Sequence, residues 1–182
     1  LVGLIKLMES SLRTVVAHRE NILKCLNDED VTIRSRALEL LAGIVSKKSL
    51  KDLVHHLLEH VKHAEGDYRD EILAKVLYMC SKDKYALLHD FAWYTSVLLD
   101  LATTPGSKHG PIVADQLMEV ALRVDYVRPY AVEAMLTLLF DNELVLGQAR
   151  QSVTEVLKAA AWIVGEYSDI VSYIANDVEM EK

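Results

Sequence analysis

Asp28-Glu29-Asp30-Val31-Thr32-Ile33-Arg34-Ser35-Arg36-Ala37-Leu38-Glu39-Leu40-Leu41-Ala42-Gly43-Ile44-Val45 decides how the rest of the chain is read. Ile33, Ala37, Leu40, Leu41, Ile44 and Val45 recur at steps of three and four, which gives a helix one apolar stripe. The acidic run before it supplies an N-cap and places negative charge at the positive end of the helix dipole. Leu53, Leu57 and Val61 repeat the spacing, as do Ile72, Val76 and Met79. Further helices are predicted over roughly 86–102, 110–124, 127–140, 149–167 and 169–179. Turn chemistry separates them at Glu65-Gly66-Asp67, Thr104-Pro105-Gly106-Ser107, Val127-Arg128-Pro129 and Asp141-Asn142. Pro111 and Pro129 sit near helix starts, where the missing N–H has no intrahelical partner to lose. No segment reads as a strand.

Two of these segments share a finer pattern. Ile33-Arg34-x-x-Ala37-x-x-x-Leu41 recurs as Val127-Arg128-x-x-Ala131-x-x-x-Met135, with Tyr68-Arg69-x-x-Ile72-x-x-x-Val76 as a looser copy. Short paired helices with an acidic turn and an arginine opening the second helix resemble HEAT repeats. The small alanine lets two helices approach, and the arginine is expected to reach an acidic group in the adjoining turn. The fold class expected is all-α, a HEAT/armadillo-like helical-repeat solenoid of irregular period. Residues 1–182 are expected to be one segment of a longer solenoid with no internal domain boundary, since stacked pairs bury their stripes only against neighbours.

Composition agrees with helix and limits function. Hydrophobic residues make up 51 % of 182, with only 7 glycines and 3 prolines. The formal charge of −7 lacks the clustered Lys and Arg that nucleic acid requires, so no nucleic-acid partner is expected. Lys47-Lys48-Ser49-Leu50-Lys51 reads as a solvated helix junction, because lipid recognition usually takes about four to eight basic residues. The longest run without Asp, Glu, Lys or Arg is nine residues, Phe91 to Leu99, against the 18 or so that span a bilayer. Cys25 and Cys80 stand alone among apolar neighbours and read as small core residues.

One stretch carries the look of chemistry. Val54-His55-His56-Leu57-Leu58-Glu59-His60-Val61-Lys62-His63 contains His56-x-x-Glu59-His60, the spacing of one class of zinc peptidase. A helical wheel centres Leu53, Val54, Leu57, Leu58 and Val61 on one side and turns His56, His60 and His63 to the other, beside Asp52 and Glu59. Metal sites in helical proteins use inward-projecting ligands with a second shell, so the solvated-face reading wins over a zinc hydrolase built on His56, Glu59 and His60. No GxSxG, P-loop, GxGxxG or EF-hand loop occurs. No catalytic, cofactor-binding or metal-binding residue is assigned, and no cofactor is expected.

Ala159-Ala160-Ala161-Trp162-Ile163-Val164-Gly165-Glu166-Tyr167-Ser168 is apolar nearly all round, so that helix is expected to be buried on several sides. Trp162 and Tyr167 are expected in the core. Gly165 within the helix costs about 1 kcal/mol relative to Ala, and a closely approaching helix is the expected compensation.

Trp162-Ile163-Val164-Gly165-Glu166-Tyr167 resembles a signature in the trunks of the large clathrin-adaptor subunits, the adaptin trunk family, and of their coatomer relatives. Ile22 to Asp30, Ile33 to Leu41, Val45 to Leu50, Ala64 to Leu73, Phe91-Ala92-Trp93-Tyr94 and His109-Gly110 extend the likeness in order over about residues 20 to 170, and look most like the delta-type subunits of that family. The resemblance implies a curved, non-enzymatic scaffold segment acting in vesicle coat assembly and cargo transport from endosomal or trans-Golgi membranes. It implies cytoplasmic partners: a small sigma chain, a beta-type large chain, a medium chain, and an Arf-type GTPase through the full-length trunk. Membrane association would be peripheral, as part of the complex. No binding residue is carried across. The repeat features alone leave open another helical-repeat scaffold, such as a nuclear-transport carrier or a phosphatase scaffold.

Overall fold

The computed structural model describes residues 1–8, 11–104, 107–147 and 150–173, and among them every regular element is a helix. The helices fall into two compact units, Leu1–His89 and Asp90–Lys182.

The first unit runs through α1 (Val2–Met8), α2 (Leu12–Ala17), α3 (Arg19–Lys24), a 3-10 turn at Cys25–Asn27, α4 (Val31–Ile44), α5 (Leu50–Val61) and α6 (Gly66–Tyr85). α4 starts where the sequence pattern places it: Asp30 Oδ1 accepts from the Thr32 amide at 2.8 Å and from its hydroxyl at 2.7 Å. These bonds, the hydroxyl's first, hold the Asp30 carboxyl below its ordinary pKa. The stripe Ala37, Leu40, Leu41 and Ile44 is buried, and α6 packs against both α4 and α5. Leu53, Val54, Leu57, Ile72, Leu73, Val76 and Met79 complete this core. Each such leucine removed from water contributes about 2 kcal/mol before chain entropy is counted. Gly66 opens α6 at φ +59, a left-handed conformation that glycine adopts without a Cβ clash.

The second unit comprises α7 (Phe91–Thr103), α8 (Gly110–Arg123), a 3-10 turn at Asp125–Val127, α9 (Arg128–Phe140), α10 (Asn142–Leu146) and α11 (Arg150–Glu166). α11 packs chiefly on α8 and α9. Tyr94, Leu98, Leu101, Val113, Ala121, Ala131, Val132, Met135, Val156, Ala160 and Ile163 form its buried centre. Pro111 and Pro129 lie in the first turns of α8 and α9.

Several expectations are corrected. The helix predicted over 86–102 starts at Phe91, where Asp90 Oδ1 accepts from the Trp93 amide at 2.9 Å. The chain before it has left helical geometry, with Asp83, Lys84 and Tyr85 all left-handed at φ 51, 57 and 63. Apolar spacing alone does not register such a reversal. α10 was not anticipated; Asp141, read only as a break, caps it by accepting from Glu143 and Leu144 amides. The helix predicted over 169–179 lies outside the described residues beyond 173.

α11 is buried on one side rather than several: Val153, Val156, Ala160 and Ile163 face inward, while Trp162 is 42 % exposed. Gly165 is also exposed, and a Cβ there would meet nothing within 4 Å. Among the described residues the expected close helix approach at Gly165 is absent, so a small substitution there meets no overpacking from them.

Three variants test this packing by thermal or urea melts. Ala37→Asp, which puts an unpaired charge in a fully buried site, should cost several kcal/mol. Gly165→Ala should leave stability unchanged or raise it by up to about 1 kcal/mol, because open space and helical backbone both favour Ala. His56→Ala on the exposed face of α5 should change stability by less than about 0.5 kcal/mol.

Candidate functional site

Two arginine-centred assemblies recur, one in each unit. Arg34 opens α4 and its Nη1 donates to the carbonyls of Asp28 at 2.9 Å and Glu29 at 3.4 Å. Its guanidinium lies 4.6 Å from the ring centroid of Tyr68 on α6. Arg128 opens α9 in the same way. Its Nε donates to the Ala121 carbonyl at 2.9 Å and its Nη2 to Leu122 at 2.7 Å, while Asp125 pairs with it at 2.7 Å. Its guanidinium lies 5.1 Å from the ring centroid of Tyr167, whose hydroxyl donates to the same Ala121 carbonyl at 3.2 Å.

Ala121 and Leu122 belong to the last turn of α8, whose carbonyls have no partner within the helix. The arginine is therefore a C-terminal cap delivered by the next helix, and the tyrosine closes over it. Arg128 meets the expected acidic neighbour in Asp125, whereas Arg34 takes backbone carbonyls in place of an acidic side chain. Arg69, the third arginine of the pattern, has its Nε buried without a hydrogen bond and makes no such clamp. A second tie across the first unit, Ser35 Oγ donating to Glu71 Oε2 at 2.6 Å, joins α4 to α6.

The histidines surround the first clamp. His56 and His63 are exposed, as the wheel requires, and so is His55. His60 is not: it is half-buried, edge-on to Tyr68 with centroids 5.8 Å apart, and its Nε2 shares a 3.3 Å hydrogen bond with the Tyr68 hydroxyl. The wheel, drawn for one helix, could not see that α6 supplies a wall on that side. A cavity of about 490 Å³ is lined by Arg34, His60, His63, Asp28, Glu65 and Tyr68 among others.

Burial first, then the charges of Arg34, His56 and His63, lower the pKa of His60. Burial pushes the Tyr68 phenol up to about 12. Glu59, the base in a peptidase reading, is held by Lys62 Nζ at 2.5 Å, and that bond lowers its pKa. Among the described residues no group of three or more His, Cys, Asp or Glu side chains is placed to hold a metal ion. Cys80 is buried, its thiol pushed up to about 12, while Cys25 is half-buried and donates to the Asn21 carbonyl at 3.2 Å. Among the described residues no helix is long and apolar enough to cross a membrane.

Stacked helix pairs clamped at their ends define a helical-repeat protein, of the class that presents surfaces to other chains. More narrowly, the chain belongs to the family described as the adaptin N terminal region, whose model matches residues 1–180. It is similar to AP-3 complex subunit delta of Dictyostelium discoideum, 41 % identical over 172 residues, covering 94 % of this chain and 15 % of that protein. It is similar also to AP-3 complex subunit delta-1 of Bos taurus, 43 % identical over 171 residues, covering 93 % of this chain and 14 % of that one. The chain thus spans a small part of the length of the curated relatives it matches. In fold it resembles a chain of a homology model of the full-length AP-3 complex in an intermediate open conformation. The TM-score is 0.72 at 22 % identity, over 97 % of this chain and 34 % of that one, which places the fold in the all-α helical-solenoid class.

Tyr167, expected as a core residue, is half-exposed and serves as the lid on Arg128. The available signal was its recurrence, with Tyr68, two helices beyond an arginine that opens a helix.

Arg128→Lys should destabilise by about 2 kcal/mol, because an ammonium cannot fork between two carbonyls and stack on a ring at once. Tyr167→Phe, which keeps the stacking, should cost about 1 kcal/mol or less; a melt showing Arg128→Lys to be silent would contradict the clamp. For His60, a folded-state pKa below the unfolded value of about 6.5 means that protonation favours the unfolded chain. Its contribution is complete above pH 6.5 or so and is lost as pH falls below it. The melting temperature of the natural chain should therefore drop further between pH 7.5 and 5.5 than that of His60→Gln; equal drops would refute the assignment.

Proposed function

We propose that the chain is a non-enzymatic scaffold segment of the trunk of a delta-type large adaptor subunit, acting in vesicle coat assembly and cargo transport. The observation that carries this reading is the family match over residues 1–180 together with relatives named as AP-3 delta subunits. The arginine clamps support it: they tie successive segments together through part-buried hydrogen bonds and stacked rings and so help keep presented surfaces rigid. Residues 1–182 act as one segment of a longer trunk with no internal domain boundary. Its partners are a small sigma chain, a beta-type large chain and a medium chain, with an Arf-type GTPase engaged through the full-length trunk. The assembly works in the cytoplasm, peripherally on Golgi and endosomal membranes.

Co-expression tests the reading. The full trunk containing these residues should co-purify with its cognate sigma, beta-type and medium chains in a stoichiometric complex. A trunk that is soluble and folded alone, yet repeatedly fails to retain those chains, would overturn the proposal.

A further inference from the structure

α9 reads Arg128-Pro129-Tyr130-Ala131-Val132-Glu133-Ala134-Met135-Leu136-Thr137-Leu138-Leu139-Phe140, apolar round most of its circumference. A helix of that kind is covered on more than one side. One side is covered within the unit, where Ala131, Val132 and Met135 are buried. The other is only partly covered among the described residues. There Tyr130, 40 % exposed, and half-buried Ala134 line a groove of about 440 Å³, with the buried Leu138 in its floor and half-buried Leu99 of α7 and Leu144 of α10 completing it. The α9 positions in this groove run from Tyr130 to Leu138, about 12 Å at 1.5 Å per residue, with the C-cap Asp141 just beyond. Ala134 in the middle leaves room for a partner backbone to come close.

Charge selects the occupant. Among the described residues lining the groove the charged ones are Glu133 and Asp141, and none is basic. They stand about 12 Å apart along the axis. Asp141 caps α10 through Oδ1 and brings its negative charge to that end of the groove. A second copy of this chain, with its net charge of −7, is a poor match. So is its own final run Asn176 to Lys182, where Asp177, Glu179 and Glu181 outnumber Lys182.

We propose that this groove docks an amphipathic helix of a partner protein, with an apolar stripe seated on Tyr130 and Ala134 between Leu99 and Leu144, and two Lys or Arg residues, about two turns apart, meeting Glu133 and Asp141. The surface is specific by charge as well as by shape. The assignment is independent of the adaptor reading, and either can fail without the other.

The test uses the full chain and two labelled helical peptides of about fourteen residues, identical in their Leu/Ala stripe. One carries two lysines about eight positions apart, and the other carries glutamates there. By fluorescence anisotropy the lysine peptide should bind about tenfold or more tightly than the glutamate peptide, and added salt should weaken it. Glu133→Gln/Asp141→Asn, in which Asn keeps the cap, should lose about tenfold in affinity for the lysine peptide. Ala134→Gln, which fills the groove floor, should abolish binding; if it fails to fold, the charge variant still decides. Equal binding of both peptides, undiminished binding by the charge variant, or self-association that this variant abolishes would overturn the proposal.

Discussion

A helix that stops inside a stack leaves its last carbonyls facing other protein, where water cannot reach them freely and the cost of leaving each unpaired is about 1–3 kcal/mol. This chain meets that constraint with an arginine from the helix that follows. Arg128 forks between Ala121 and Leu122 at the end of α8, whereas Arg34 ties down the loop carbonyls of Asp28 and Glu29 that lead into its own helix. A lysine could not do this, because its point charge has no planar fork and no face to stack. Tyr68 and Tyr167 then stack against the guanidinium groups, adding cation–π attraction to the charge-assisted bonds.

With the ends secured, the interiors need little polar chemistry. Among the described residues the buried polar side chains are Thr95 and Ser107, and Thr95 is satisfied locally by the Phe91 carbonyl at 2.9 Å. Apolar burial supplies the rest, with small residues such as Ala37, Ala131 and Ala160 at positions that let helices pack closely. Such a scaffold is rigid along its seams and free to vary on its faces. The acidic-rimmed groove along α9 is one face where apolar side chains are only partly covered among the described residues.

Much of this was legible in residue order. The three-and-four spacing of Ile33 to Val45, the Asp30 cap and the prolines at 111 and 129 are local features, and local features survive in a linear reading. The repeated arginine was visible too, but not its targets, because backbone carbonyls are the same for every residue. Other readings failed where a neighbour decided the outcome. His60 looked solvated until α6 placed Tyr68 beside it, and Trp162 looked buried until α11 proved to be covered on one side only. Apolar spacing placed a helix from residue 86, whereas the left-handed run Asp83 to Tyr85 precedes a helix that starts only at Phe91.

By itself, then, the order of side chains determined the helical periods, their caps, the family and the positions of the clamping arginines, since these depend on contacts within a turn or two. Only the tertiary structure decided which face of each helix meets another, where Tyr68 and Tyr167 close, and where an apolar stripe is left open. A helix carries the same pattern whether one neighbour or two lie against it, and burial is a property of the pair.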